Sequence, residues 1–290
     1  MAATDFDLLA SYWTIAGDVC PFAPNEASPL DFRARVAAAA SAGYRGIGLN
    51  HDDLVAVLAR DGAEEAKSIL ADHGILHLEL EFITDWFADG DRRRASDFVR
   101  RGLLDGAAQL GVNHVKVGGD FGGAAWPMDR MVEEFSRLCE DGAAVGAPIA
   151  LEIMPWTNLC TIDMAMQVVQ GASHRNGGLV LDIWHFARGG IAFSDISLIP
   201  SELIFYVEID DAAAQQEGTL LEDTIHRRRL CGEGDLDVPA FLRCILATGY
   251  RGPFGVEIIA AAQRSRSLKQ ATQKSRDAAT AQFAALEAQL

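Results

Sequence analysis

The amino-acid sequence predicts an α/β protein, a single (β/α)8 barrel spanning residues 1–290, and three observations support that prediction. Short apolar segments alternate with long alanine-rich helical segments along the whole chain, which is typical of repeated strand–helix units. Glycine follows many of the helical segments just before the next strand, where a left-handed residue commonly ends a helix. The length suits one closed barrel, whose usual size is about 250 residues.

Eight segments have the length and composition of buried strands. They are residues 12–15, 46–49, 76–82, 114–117, 149–153, 179–183, 204–209 and 254–258. An open, doubly wound sheet is the alternative to a barrel, and it normally carries a Gly-x-Gly-x-x-Gly loop after its first strand. Residues 16–21 (AGDVCP) follow the first predicted strand and lack that motif. The barrel is therefore favoured.

Helical patterns fill the intervals between these strands. They cover residues 30–42, 53–73, 92–110, 129–145, 162–170, 238–248 and 265–290. The glycines that end them are Gly43, Gly74, Gly111, Gly146 and Gly249. No Pro/Ser-rich linker or change in composition divides the chain, so the sequence predicts one domain.

The charge balance limits the choice of partners. The chain has 25 Lys and Arg against 41 Asp and Glu, a formal net charge of −16. A protein that binds a nucleic-acid backbone or an anionic membrane surface needs clustered cations, so the charge balance argues against both as partners. The N-terminus lacks a signal-peptide pattern, no apolar run approaches a membrane span, and the 5 cysteines form no Cys-x-x-Cys pair. We therefore expect a cytoplasmic protein.

A carboxylate lies near the end of each of the last four predicted strands. These residues are Glu152, Asp182, Glu208 and Glu257, each flanked by aliphatic side chains. The active sites of barrels lie at the C-terminal ends of the strands. An ion pair or an outward orientation would explain any one of these carboxylates, but the recurrence on four strands favours a metal site. Oxygen ligands suit Mg²⁺ or Mn²⁺ best, and Co²⁺ and Zn²⁺ are compatible with them.

Several segments resemble the xylose isomerase-like TIM barrels, a superfamily that includes sugar-phosphate isomerases and epimerases, inosose and dehydroshikimate dehydratases, and endonuclease IV. The resemblance covers essentially the whole chain. It is clearest at residues 151–153 (LEI), 181–190 (LDIWHFARGG), 232–237 (GEGDLD) and 249–257 (GYRGPFGVE).

The resemblance implies one metal site with defined roles. It makes Glu152 and Glu257 metal ligands that flank the substrate as base and acid, and Asp182 a further ligand. His185, three residues after Asp182, would reach the metal or the substrate oxygens. At Glu208 the sequence departs from the family, because epimerases usually place histidine there and dehydroshikimate dehydratases often place glutamine. The multi-histidine set of endonuclease IV is not found in the sequence, which argues against DNA repair.

The resemblance implies a divalent-metal-dependent isomerase or epimerase of a sugar-like ketone, acting through an enediolate. The alternative is a lyase at the same site, which dehydrates a cyclic keto-polyol, a 3-keto sugar or a dehydroshikimate-like substrate. Glu208 in place of histidine favours that alternative. A barrel that only binds its ligand or assembles with other subunits is a third interpretation. The presence of all four of Glu152, Asp182, His185 and Glu257 argues against it.

Four further residues are candidates for contacts with a small carbohydrate-like substrate. His51 follows the second strand and could donate to a hydroxyl group, or it could simply begin a helix. Lys116, in the fourth strand, could hold a substrate oxygen or balance the acidic interior. In the basic run at residues 226–229, Arg228 or Arg229 could reach over the substrate, or the run could be a solvated surface. Barrels of this kind often pair, so a homodimer is compatible with the sequence.

Overall fold

Eight parallel strands close into a barrel in the computed structural model, which describes residues 6–287. Each strand pairs with its neighbours in chain order, and β1 pairs with β8 to close the ring. The strands are β1 Leu8–Ala10, β2 Gly46–Asn50, β3 His77–Ile83, β4 His114–Val117, β5 Ile149–Glu152, β6 Gly177–Asp182, β7 Ile204–Ile209 and β8 Phe254–Val256. This is the (β/α)8 TIM barrel that the sequence predicts.

The first strand lies earlier in the chain than predicted. The predicted strand Tyr12–Ile15 is wrong, because these residues form a short helix directly after β1. A four-residue apolar run has no periodicity that separates a buried strand from a buried helix. The three residues of β1 are held from both sides, by β2 and by β8. Ser11 follows β1, and its side chain therefore lies at the C-terminal end of the barrel.

Helices surround the barrel. They are α1 Tyr12–Ile15, α2 Phe32–Ala42, α3 His51–Asp61, α4 Ala63–Asp72, α5 Gly90–Leu110, α6 Met128–Ala144, α7 Ile162–Ala172, α8 Ile183–Gly189, α9 Leu220–His226, α10 Val238–Ala247, α11 Ala261–Arg264 and α12 Leu268–Glu287. The single helix predicted over residues 53–73 is two helices, separated at Gly62, whose φ of 77° no helix interior allows. The predicted end of the last helix at Leu290 lies outside the described residues.

The register of the strands sets the height of the predicted site residues. Asp182 and Glu208 are direct partners across β6 and β7, and Glu208 is the partner of Gly255 on β8. Glu152 ends β5, and Glu257 follows β8 directly. All four side chains therefore lie at one end of the barrel, at neighbouring levels. Over the described residues, no helix is both long enough and apolar enough to cross a membrane.

Candidate active site

A cavity of about 310 Å³ opens at the C-terminal ends of the strands. The acidic and basic residues of its wall come from seven different segments of the barrel, and aromatic side chains cover much of the rest. The lining consists of Trp13, Pro21, Phe22, Glu26, Asn50, His51, Asp52, Glu81, Phe82, Thr84, Val99, Lys116, Phe121, Glu152, Met154, Trp156, His185, Thr224, Ile225, Arg228, Glu257 and Ile259. Six of the predicted site residues are among them: His51, Lys116, Glu152, His185, Arg228 and Glu257.

The structure brings the four predicted metal-binding carboxylates together. Glu152, Asp182, Glu208 and Glu257 each offer one oxygen, and these oxygens lie within 4.8 Å of one another. None of the four residues is more than 4% exposed. Glu152 and Glu257 line the cavity, whereas Asp182 and Glu208 are not part of its lining.

Lys116 lies at the centre of the barrel, with its side chain fully buried among carboxylates. Its Nζ is 2.7 Å from Glu81 Oε2 and donates hydrogen bonds to Glu208 Oε1 at 2.9 Å and Glu257 Oε1 at 3.0 Å. Ser11 Oγ also donates to Glu208 Oε1, at 2.9 Å. The balancing of the acidic interior that the sequence suggested for Lys116 is therefore present, and its ammonium also lines the cavity.

Arg228 is the second buried cation, only 3% exposed, in a side wall of the same cavity. Its Nη1 lies 2.7 Å from Asp182 Oδ2 and 3.1 Å from Glu257 Oε2, and it also contacts Asp210. Thr224 Oγ1 accepts a hydrogen bond from Nη2 at 3.0 Å. The guanidinium therefore ties the ends of β6, β7 and β8 together.

Burial and mutual repulsion raise the pKa of several carboxyl groups in the cluster. Burial raises the pKa of Glu81 to about 8, with the negative charges of Glu257 and Glu79 adding to the effect. Burial also raises the pKa of Glu208 well above its ordinary value, and the Glu257 charge raises it further. The pKa of Glu257 is raised by burial as well. Glu81 is therefore a carboxylic acid that keeps its proton at neutral pH on the cavity wall.

Other groups of the cluster shift in the direction of their charged forms. Burial opposes ionisation of Asp182, but the charges of Arg228 and His185 and the hydrogen bonds from Arg228 and Trp184 together lower the pKa of this carboxyl. Burial likewise disfavours the Lys116 ammonium, and the charges of the surrounding glutamates together raise the pKa of Lys116 well above its ordinary value. The site thus combines fixed charges with neutral acids.

The residues present fit a divalent cation. Seven buried carboxyl groups lie in and around the cluster, against two buried cations, Lys116 and Arg228. The carboxyl groups are Glu79, Glu81, Glu152, Asp182, Glu208, Asp210 and Glu257. Glu208 Oε2 is buried without a hydrogen-bond partner, although its other oxygen is held by two donors. A hard cation would use that oxygen and offset the surplus negative charge.

His185 lies beside the carboxylates, as its spacing from Asp182 suggested. Its Nε2 is 3.0 Å from Glu152 Oε1 and 3.7 Å from Asp182 Oδ2. Glu152, Asp182 and His185 form a second set of three with donor atoms close enough to share one ion. The ring is enclosed by Trp156 and Trp184, with centroids 5.3 Å and 5.2 Å away.

The remaining predicted substrate-binding residues have different locations. His51 lines the cavity, and it also begins α3, as the alternative interpretation held. Its Nδ1 lies 3.2 Å from Asp52 Oδ1. Arg229 is absent from the cavity lining, and its guanidinium is directed to Glu217 at 3.6 Å. Of the two arginines, the structure brings only Arg228 to the site.

Three acidic residues of the cluster, Glu79, Glu81 and Asp210, are not among the candidates predicted from the sequence. Glu79 and Glu81 are two positions apart on β3, and Glu208 and Asp210 are two positions apart at the end of β7. Side chains two positions apart share a face of a strand, so this spacing is the signal that could have found them. This spacing was ambiguous, because shifting the predicted inward-facing positions of the strand by one residue turns both side chains outward.

The chain belongs to the xylose isomerase-like TIM barrel family, whose model matches residues 36–281. Two kinds of curated relatives are similar in sequence. A 3-dehydroshikimate dehydratase of Pseudomonas aeruginosa is 29% identical over 229 residues, covering 77% of this chain and 35% of that protein. An inosose isomerase of Halalkalibacterium halodurans is 27% identical over 148 residues, covering 50% of this chain and 51% of that protein. The chain thus spans about a third of the dehydratase's length and half of the isomerase's.

A solved structure shares the whole fold. The crystal structure of the IOLI protein with a bound zinc atom superimposes with a TM-score of 0.82 over 97% of this chain and 99% of that one. Its sequence identity is 19%, so the likeness concerns the fold. The relatives in the family with named activities are enzymes, and this chain has the same barrel.

Proposed function

We propose that this protein is a divalent-metal-dependent lyase that removes water from a cyclic keto-polyol. The observation that carries the proposal is the composition of the cavity wall, where Glu152 and Glu257 accompany Glu81, whose pKa of about 8 keeps it protonated. Dehydration next to a ketone needs a base for the C–H proton and an acid for the departing hydroxyl. The dehydratase relative, which matches 77% of this chain, supports the same outcome.

Glu152, Asp182, Glu208 and Glu257 would hold the metal, with Mn²⁺ or Mg²⁺ preferred because the donors are carboxylate oxygens. A bound divalent cation polarises a ketone and its neighbouring hydroxyl and so acidifies the C–H bond between them. His185, enclosed by two tryptophans, fixes the orientation of Glu152 through its 3.0 Å contact.

The protein's own side chains then move the two protons. Glu152 or Glu257 accepts the proton from the carbon next to the ketone. Glu81 gives its proton to the hydroxyl group on the following carbon. The C–O bond then breaks, water departs, and the product is an enone. Lys116, 2.7 Å from Glu81 Oε2, stabilises the carboxylate that Glu81 becomes. The electron pair of the broken C–H bond forms the new C=C bond, and the electron pair of the C–O bond leaves with water, so the reaction needs no oxidant.

Isomerisation or epimerisation of the same substrate class is the second candidate. Glu152 and Glu257 come from β5 and β8, three strands apart, and both line the cavity. Two carboxyl groups on different sides of a substrate can remove a proton and return it at another carbon or face. The inosose isomerase relative supports this outcome over half of the chain.

Incubation of the Mn²⁺-loaded protein with an inosose in D₂O tests both proposals. Dehydration predicts an enone chromophore, whereas isomerisation predicts deuterium incorporation without one. Glu81→Gln should lower the rate of enone formation by about 10² or more while deuterium exchange continues. In the wild type, enone formation should fall as the pH rises through the pKa of Glu81, which burial raises, because Glu81 then loses its proton.

Glu133→Gln is the matched control, since Glu133 is an exposed glutamate on α6 in an ion pair with Arg137. Its enone formation should equal that of the wild type. Full enone formation in Glu81→Gln would refute the role of Glu81. Deuterium exchange without enone in the wild type would replace dehydration by isomerisation as the function.

A further inference from the structure

The cationic side chains of the cavity are already paired with the protein's own carboxylates. Among the lining residues, all of which the structure describes, the lysine and arginine side chains are Lys116 and Arg228. Lys116 contacts three glutamates, and Arg228 contacts three carboxyl groups and a threonine. Turning either cation toward a ligand would leave buried carboxylates unpaired, which is strongly unfavourable.

The remaining charged residues of the lining are acidic or held by acids. Glu26 and Asp52 add two carboxyl groups near the cavity mouth. His51 Nδ1 faces Asp52 Oδ1, and His185 Nε2 faces Glu152 Oε1. A phosphate or carboxylate of a substrate would therefore meet no uncommitted cationic side chain on this wall.

Backbone amides offer a second way to bind an anion, usually at a helix N-terminus or a glycine-rich loop. Helix α3 begins at the cavity, but Asn50 Oδ1 accepts the hydrogen bond of Asp53 N at 2.9 Å. The first turn of this helix carries Asp52 and Asp53. These carboxylates repel a ligand anion from the position where the helix dipole would attract it.

The backbone amides of the loop at residues 232–236 are also occupied by a carboxylate of the protein. Phosphate sites of barrels frequently use the loops after the seventh and eighth strands. Here Asp211 fills the loop: its Oδ2 accepts from Gly232 N at 2.8 Å and Gly234 N at 3.0 Å, and its Oδ1 accepts from Leu236 N at 2.9 Å. A side chain at position 234 would meet Asp211 Oδ1 at 2.2 Å, so glycine is needed for this close approach.

The glycine-rich loop at residues 118–123 is occupied as well. Asp120 Oδ1 accepts the hydrogen bond of Gly122 N at 2.8 Å, and Asp120 Oδ2 accepts that of Trp126 Nε1 at 2.7 Å. Arg92 also pairs with Asp120, at 3.0 Å. The carboxylate of Asp120 therefore takes the donors that an anion would need.

From these contacts we infer that the cavity takes an uncharged keto-polyol and rejects phosphorylated or carboxylated ones. The inference rests on the proposed function for its reaction at the ketone, and it adds the charge of the substrate. Hydroxyl groups can donate to the carboxylates of the wall, whereas an anionic group adds repulsion in a buried site. The inference predicts a substrate preference different from that of the dehydratase relative, whose named substrate carries a carboxylate.

The test compares two probes with the same ring, one carrying a carboxylate and one its uncharged methyl ester: 3-dehydroshikimate and methyl 3-dehydroshikimate. An inosose serves as a neutral reference. Calorimetric titration into the Mn²⁺-loaded protein at neutral pH gives the affinities, and turnover is measured beside them. We expect the ester to bind at least about tenfold more tightly than the acid. Added salt should narrow this difference, because it screens the repulsion of the acid.

The outcomes separate the two proposals. An acid that binds as tightly as the ester, or more tightly, overturns the inference about charge. Dehydration of either probe, read as formation of the aromatic dihydroxybenzoate or its ester, leaves the lyase in place. Tight binding of the neutral probes without dehydration or deuterium exchange overturns the proposed function while the charge preference stands. No binding of any of the three probes overturns both.

Discussion

At the scale of single residues, Glu208 and Lys116 decide how the acidic interior is balanced. Glu208 stands where the resemblance led us to expect histidine or glutamine, and its pKa is raised by burial. Lys116 and Ser11 both donate to its Oε1, whereas Oε2 is buried without a hydrogen-bond partner. The lysine thus supplies the positive charge that makes a glutamate tolerable at this position.

Lys116→Met tests this balance in the metal-free protein. The substitution leaves Glu81, Glu208 and Glu257 without their shared ammonium, so we expect the free energy of unfolding at neutral pH to fall by about 3–5 kcal/mol. Urea denaturation measures it. The double variant Lys116→Met/Glu208→Gln should recover part of the loss, since one of the three buried carboxyl groups deprived of their hydrogen-bond donor is then replaced by an uncharged amide. A single variant as stable as the wild type would contradict the account.

At the scale of elements, the sequence predicted most of the strands of the barrel and the positions of the four carboxylates along them. Strands β4 and β7 have the predicted bounds, and the four carboxylates fall at the ends of β5 to β8 as predicted. The failure at β1 was physical, because a three-residue strand carries no pattern of its own and exists only through pairing with β2 and β8. Ser11, which holds Glu208, was consequently missed.

The segment between α1 and α2 depends on a buried ion pair at the start of α3. Asp53 Oδ2 lies 2.6 Å from Arg35 Nη2, with both side chains nearly fully buried, and Asp53 Oδ1 accepts from Ser28 N at 3.0 Å. The same segment carries Glu26, which lines the cavity. The cavity mouth is therefore held by α2 and α3 together.

Asp53→Asn should destabilise the protein by about 3 kcal/mol or more, because the Arg35 guanidinium then stays buried without its counter-charge. Asp52→Asn is the control at the neighbouring, half-exposed position, where the side chain accepts a hydrogen bond from Glu26 N at 3.0 Å. The asparagine keeps an acceptor oxygen and no buried counter-charge is lost, so the free energy of unfolding should change by less than about 1 kcal/mol. Both values come from urea denaturation. Equal effects of the two substitutions would mean that the buried pair does not hold this segment.

At the scale of the whole molecule, the net charge of −16 describes the surface and not the site. Many acidic residues lie in exposed ion pairs on helices, such as Glu133 with Arg137 and Glu65 with Arg33. The composition therefore excluded classes of partners but could not show which carboxylates converge. Convergence depends on barrel closure and register, which place β5 to β8 side by side with their ends at one level.

The central claim is that Glu152, Asp182, Glu208 and Glu257 form a divalent-metal site. Calorimetric titration of Mn²⁺ into the chelator-treated protein tests it most directly, with Asp182→Asn, Glu257→Gln and the exposed Glu133→Gln measured in parallel. The account predicts one Mn²⁺ per chain in the wild type and in Glu133→Gln, and binding weakened at least about tenfold in the other two variants. Absence of Mn²⁺ binding in the wild type, or binding that Asp182→Asn and Glu257→Gln leave unchanged, would contradict it.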